Sequence, residues 1–284
     1  MKKIFHMLRS SYIWIILFFL YLPIIYTIVF SFNSSRSLSR FTGFSLQWYE
    51  KMLGDGAMTS SIYYTVLIAV IATAVSTIAG TIVAIALSKC GKVLRTLIMQ
   101  VNNLPLLNPE IVTAIGLLMF FASLNIKKGL LTMLLAHIMF CIPYVMLSIT
   151  PKLRTLDSNI ADAAMDLGAT PAYALRKVIV PQIMPGIFSG ALIAFTMSFD
   201  DFIISYFVTG NGVNNISIMV YTMSKRINPS INALSSIIIL LISVVLVIIN
   251  VVPIMKERRR KKNYEKILRN TSHGGIAFNS MRRS

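Results

Sequence analysis

"DSNIADAAMDLGATPAYALRKVIVPQIMPGI", residues 157–187, is a run of small residues, carboxylates and prolines set between two long apolar stretches. Asp157 or Ser158 can cap a short helix that runs through Ala161, Asp162, Ala163, Ala164 and Asp166. Gly168 can close that helix in a left-handed conformation, and Thr170-Pro171 reads as the cap and first residue of a second helix. Pro181 and Pro185 then mark the start of the next apolar stretch. The spacing predicts a helix, a sharp turn and a second helix. Asp162 and Asp166, four residues apart, share one side of an alanine surface. Small side chains let such a surface sit deep in a partner's groove, while the carboxylates fix its register. A two-turn helix is marginal in water by itself, so a partner or the rest of the fold must hold it.

Outward from this segment the chain is apolar. Of 284 residues 56% are hydrophobic and 13% charged, which excludes an ordinary water-soluble domain. Six apolar stretches, near 12–32, 62–88, 104–124, 129–150, 183–209 and 231–254, each reach the roughly 20 residues that a helix needs to cross a bilayer. The first follows Lys2, Lys3 and Arg9 as a signal peptide would, but its apolar run is too long and no A-x-A site follows, so it reads as a retained span. With the N-terminus inside, the inner segments 1–11, 89–103, 151–182 and 255–284 carry 3, 3, 4 and 10 Lys and Arg, against 7 for all the outer segments. This asymmetry predicts both termini in the cytoplasm. The expected fold class is an all-α membrane protein with six transmembrane helices over 1–254, a cytoplasmic loop at 151–182 and a basic tail at 255–284. The net charge of +17 is then a topology signal and gives no reason to expect nucleic acid as a partner.

Two cysteines, Cys90 and Cys141, lie far apart in sequence, and His6, His137 and His273 are isolated. The sequence has no H-E-x-x-H metal motif and no G-x-x-x-x-G-K-[ST] phosphate loop. No cofactor of this chain is expected, and any ATP with its magnesium must bind a separate chain. Trp48 and Tyr49 in the first outer loop suit a membrane interface, with partner contact as the alternative. Ser76, Gly80, Ala84 and Ser88 at four-residue spacing form a seam along which helices can approach closely. Asn108, Pro109 and Glu110 read as cap, first and second residues of a helix, with the charge at the positive end of the dipole. The tail's KERRRKK cluster fits contact with anionic lipid, worth about 1 kcal/mol per basic residue near the surface.

The opening segment resembles the signature of the permease subunits of binding-protein-dependent ABC importers, E-A-A-x3-G-x9-I-x-L-P. Asp162, Ala163 and Ala164 stand for E-A-A, Gly168 for the glycine, Val178 and Val180 for the aliphatic pair and Pro181 for the proline. The resemblance implies a type I ABC importer permease fold in the cytoplasmic membrane, with Asp162, Ala163, Ala164, Asp166, Gly168 and Pro181 in the element that couples to the ATPase. It also implies an ABC ATPase dimer, a second permease subunit, a heterodimer in preference to a homodimer, and an extracytoplasmic binding protein. "SLQWYEKML", "NPEIVTAIGLL" and "SFDDFIISYFVTG" look like the spermidine/putrescine type, which implies polyamine cargo. Asp162 in place of glutamate and Glu110 where aspartate is common depart from the pattern while keeping the charge.

Asp200 and Asp201 give the polyamine reading a physical basis, because a carboxylate at mid-membrane costs roughly 2.5–3.5 kcal/mol and needs a reason. One reading is a hydrogen-bond network between helices, or a pair sharing a proton; the other is a substrate pathway for cations. On a continuous helix through 209 the two carboxylates face away from a stripe of Phe195, Phe199, Phe202 and Tyr206. Any aromatic partners for a bound cation must then come from other spans or from a partner subunit. Asp200 lies 17 residues beyond Ile183 and 9 before Thr209, in the outer half of the span. Importers of another solute, such as an anion or a metal complex, and an ion-coupled secondary carrier stand as alternatives. An intramembrane enzyme lacks a matched nucleophile and base.

Overall fold

The computed structural model describes residues 2–157, 159–210, 212–224, 228–244 and positions 247, 251 and 255. Among them the chain is helical, with one isolated antiparallel bridge between Asn33 and Phe44. The helices are α1 (Lys2–Ser31), α2 (Gln47–Gly54), α3 (Gly56–Lys89), α4 (Lys92–Leu107), α5 (Glu110–Ser123), α6 (Leu130–Arg154), α7 (Ile160–Asp166), α8 (Pro171–Ala174), α9 (Val180–Asp200), α10 (Ile203–Val208) and α11 (Ile216–Ser224). A further apolar helix, α12, covers Ser230–Val244. Between α8 and α9, Leu175–Ile179 winds as a π-helix, and the Val180 N–H donates to the Leu175 carbonyl.

Among the described residues four helices can cross a membrane by length and composition: Tyr12–Ser31, Gly56–Lys89, Leu130–Arg154 and Pro171–Asp200. The bent pair α4 and α5 is a fifth candidate. Of the expected sixth span, Ser230–Val244 is helical, and several of the later positions lie outside the described residues, as does the basic tail from 256 onward.

The chain divides into two compact units, residues 1–52 with 228–284 and residues 53–227. In the first, the loop between α1 and α2 is organised around buried Asn33. Its side-chain amide donates to the carbonyls of Ser37 and Arg40, both at 2.9 Å, and its oxygen accepts from the Thr42 N–H at 2.9 Å. The Trp48 indole donates to the Asn33 carbonyl at 2.6 Å, and the Ser31 and Tyr49 hydroxyls lie 2.7 Å apart. Trp48 is therefore buried at the closure of the loop. A backbone carbonyl turned inward by the loop needs a donor, and the indole supplies one. Lys51 Nζ stands 4.5 Å from the Trp48 ring centroid, a cation–π contact.

In the second unit α3, α6 and α9 pack against one another. In lipid no hydrophobic force drives helices together, so close approach through small residues must hold them. Ser76, Gly80 and Ala84 are buried on α3, and a Cβ at Gly80 would stand 2.8 Å from Val145 Cγ1 of α6. On α9, a Cβ at Gly186 would stand 3.2 Å from Ser148 O and one at Gly190 3.2 Å from Val145 Cα, both backbone atoms of α6. The N-terminus of α3 is capped by Asp55, which accepts from the Ala57 and Met58 N–H groups, and Arg95 of α4 donates to the carbonyls of Leu87, Ser88 and Cys90 at the other end.

The axes of α4 and α5 differ by 109°. The expected cap shifts by one residue: Asn108 ends α4, Pro109 caps α5 and Glu110 is its first residue. A residue before proline is pushed out of the helical region, and Asn108 accordingly lies at ψ 147°; Pro109, in the cap position, follows at ψ 134°. Glu110 still sits at the positive end of the α5 dipole.

Candidate functional site

The candidate site residues lie at two places in the second unit: the loop between α6 and α9, and the end of α9. In the loop, Asp157 Oδ1 accepts from the Asn159 N–H at 2.9 Å ahead of α7; Ser158 lies outside the described residues. Gly168 takes φ +88°, its N–H donates to Met165 O at 2.8 Å, and the Ala169 N–H donates to Ala164 O at 3.1 Å. These bonds close the carbonyls of α7 in the manner of a left-handed helix stop. The Thr170 hydroxyl oxygen accepts from the Tyr173 N–H at 3.3 Å with Pro171 behind it, and α8 begins. Ala161 and Ala174 are buried and anchor the loop, while Asp162, Ala163, Asp166 and Gly168 are exposed and Ala164 is half-buried. Pro181 is exposed at the start of α9, near the positions where a missing N–H breaks no bond. Sequence reasoning passed over Leu167, which is 90% exposed and shares the turn with exposed Met165. A leucine directly before the turn glycine was the available signal.

The expected continuous span to 209 is instead broken. α9 ends at Asp200, Asp201 is extended at φ −62° and ψ 126°, and α10 begins at Ile203. The cause lies in Asp201, whose carboxylate accepts from the Ile204 N–H at 3.2 Å, the Ser205 N–H at 2.7 Å and the Ser205 hydroxyl at 2.7 Å. The first N–H groups of α10 have no intrahelical acceptor, and in a dry environment a side-chain oxygen beside them is worth about 1 kcal/mol as a cap.

Around Asp201 lies a buried polar cluster. His137 of α6 places Nδ1 2.7 Å from Ser198 Oγ and Nε2 2.9 Å from Ser205 Oγ, with Nε2 3.4 Å from Asp201 Oδ2. Asn215 Nδ2 donates to the Asp201 carbonyl at 2.8 Å and to Ser205 Oγ at 2.9 Å. The Ser205 hydroxyl has a single proton. Once that proton is given to Asp201, the oxygen must accept from His137 Nε2–H, so the imidazole carries a hydrogen on Nε2. On the other side of Asn215, the Ile216 N–H donates to Thr65 Oγ1 of α3 at 2.8 Å. The cluster thus runs from α6 through the break to α3. Sequence reasoning treated His137 as isolated because its partners are 61 and 68 residues away.

Asp200 and Asp201 therefore have different surroundings. Asp201 is buried, whereas Asp200 is exposed, and among the described residues no basic side chain forms an ion pair with it. Asp200 is also the last residue of the 21-residue α9, where the helix presents its carbonyl end. A carboxylate and the negative end of a dipole reinforce one another, and the natural complement is a cation. The predicted aromatic stripe divides at the break. Phe195 stacks on Phe199 with centroids 5.7 Å apart, and Phe202 packs with Tyr206 at 5.5 Å and with Tyr221 of α11 at 4.8 Å.

The sequence pattern of the family described as "Binding-protein-dependent transport system inner membrane component" matches residues 76–261. The putrescine transport system permease protein PotI of Escherichia coli K12 is 38% identical over 229 residues, 78% of this chain and 82% of that protein. The spermidine/putrescine transport system permease protein PotC of Haemophilus influenzae is 35% identical over 234 residues, covering 82% and 91% of the two chains. A PotC homolog of Mycoplasma genitalium is 31% identical over 276 residues, covering 92% and 96%. Among solved structures, a bacterial ABC transporter involved in the import of the acidic polysaccharide alginate has a chain of the same fold. It superposes with a TM-score of 0.70 at 17% identity, covering 88% of this chain and 96% of that one.

Proposed function

The chain belongs to the binding-protein-dependent transport system inner membrane components, and from that premise we propose that it moves polyamines inward across the cell membrane. It is a multi-pass permease subunit of an ABC importer and not an enzyme, since ATP hydrolysis in such systems belongs to a separate chain. It works with an ATPase, a binding protein and a second permease. In the finer reading these are an ATPase dimer that holds ATP and magnesium, an unlike permease as the other half of the pathway, and a surrounding shell of lipid.

The polyamine reading is supported by the relatives named for spermidine and putrescine and, within this chain, by Asp200. An exposed carboxylate at the carbonyl end of a helix, without a basic partner among the described residues, suits an alkyl ammonium group that has left water. The Phe202, Tyr206 and Tyr221 rings offer faces for the same charge and the methylenes beside it. The loop of α7 and α8 is the ATPase contact in this reading. Asp162 and Asp166 set register, Ala163 and Ala164 permit close seating, and Leu167 supplies an apolar knob. Closure of the ATPase draws the loop and rocks α9, which follows it directly in the chain.

Asp200→Asn is expected to raise the KM for spermidine uptake about tenfold, the loss of roughly one charge-assisted contact. The measurement is radiolabelled uptake in cells that lack every other polyamine importer. Unchanged uptake by the double variant with Asn at 200 and 201 would sink the polyamine assignment.

A further inference from the structure

Two adjacent carboxylates in one span invite the same role, yet their surroundings are opposite. The Asp201 side chain is 4% exposed and accepts three hydrogen bonds from Ile204 and Ser205. His137, with a 1% exposed side chain, reaches the same cluster through Ser205 and meets Ser198 on α9 with its other nitrogen. One imidazole thus bridges the last turn of α9 and the first turn of α10, the two sides of the break, while rooted in α6.

We infer that His137 is a positioning residue for transport: it locks Asp201 into the break, and the locked break presents Asp200 alone to the cargo. The inference rests on the reading of Asp200 as the cargo contact. Three features carry it. Asp201 has its oxygens engaged by donors of its own chain and has little surface left for a cargo cation. The extended conformation at Asp201 is what ends α9 at Asp200 and leaves that carboxylate at a helix terminus. The Asn215 amide ties the Asp201 carbonyl and Ser205 to the segment that Thr65 holds on α3, so the break is fixed between α3 and α6 and does not move as a free loop. His137, Ser198, Ser205 and Asn215 act through Asp201 and touch no cargo.

The test uses the assembled transporter in cells, with rates normalised to the amount of complex. Asp200→Asn and His137→Ala should each raise the KM for spermidine about tenfold. The double variant should be no worse than Asp200→Asn alone, because His137 acts through Asp200. His137→Gln, which keeps a donor for Ser205, should bring the KM back to within about threefold of the wild type. Asp201→Asn keeps one capping oxygen and loses the other, so it should raise the KM as His137→Ala does, and those two changes together should be no worse than either alone. Multiplicative effects in either double variant would overturn the inference.

A second measurement needs no cargo. With Cys90→Ser and Cys141→Ala as background, a cationic thiol reagent applied from outside should label Asp200→Cys, and adding His137→Ala should slow that labelling at least tenfold. Equal labelling of Asp200→Cys with and without His137 would overturn the inference whatever the cargo. If the wild type takes up neither spermidine nor putrescine, the cargo reading falls and the labelling contrast still decides the role of His137. If His137→Ala fails to accumulate, Ser198→Ala, which removes the partner of the imidazole Nδ1, takes its place in both measurements.

Discussion

Gly80→Leu is expected to abolish accumulation of the folded permease. The first atom of any side chain at this position would stand 2.8 Å from Val145 Cγ1, 3.0 Å from Val145 Cβ and 3.4 Å from the Ile142 carbonyl. Leucine adds three further carbons to a seam where α3 and α6 already touch. Overpacking a tight site costs roughly 1–3 kcal/mol even when neighbours can yield, and here part of the obstruction is backbone. Total stabilities of about 5–15 kcal/mol leave little room for losses of that size. The check is the monodisperse fraction recovered after detergent extraction. Gly80→Ala should show a milder loss, and Val145→Ala in the same chain should reverse it, since it removes the atom that Cβ meets first. A Gly80→Leu protein recovered at wild-type level would contradict the account of the seam.

The second large effect falls on the α7–α8 loop. Gly168→Pro should leave the protein in the membrane and abolish both transport and co-purification with the ATPase. Proline fixes φ near −65°, whereas Gly168 stands at +88°, and it removes the N–H that bonds Met165 O at 2.8 Å. Gly168→Asn tolerates a positive φ and retains the N–H, so it should keep most of the activity. Leu167→Asp leaves the backbone alone and places a charge on a 90% exposed position, so a loss of ATPase co-purification from that variant would localise the contact to the side chain. Retained assembly with Gly168→Pro would count directly against this loop as the docking element.

The contrast between these elements shows what the sequence discloses. The helix, turn and helix of residues 160–174 were legible because every determinant is local: Gly168 ends one helix and Thr170-Pro171 starts the next within three positions. The seam of Ser76, Gly80 and Ala84 was legible for the related reason that helical spacing collects small residues on one face. The break after Asp200 was missed. An apolar run averages away a single capping residue, and the donors that Asp201 serves become unsatisfied only once the helix has already broken. Trp48 and His137 were missed because burial is a tertiary property. The partners of Trp48 and His137 lie 15 and more than 60 residues away in sequence, and nothing in the local pattern announces them. An ionisable residue inside a span is by default a functional candidate, and that rule would have singled out His137 without any partner in view.

The π-helix at Leu175–Ile179 has a consequence for how this chain can vary in length. A π-turn holds one residue more than the α-turn it replaces. Deleting a single residue there would let the segment relax to regular α-helix with little rotation of what precedes it, because the turn already absorbs the additional residue. The same deletion a turn further on, in the regular part of α9, would instead swing everything on its N-terminal side by about 100° around the helix axis. The five-residue segment is therefore the place where a related chain can be one residue shorter and still aim its loop the same way.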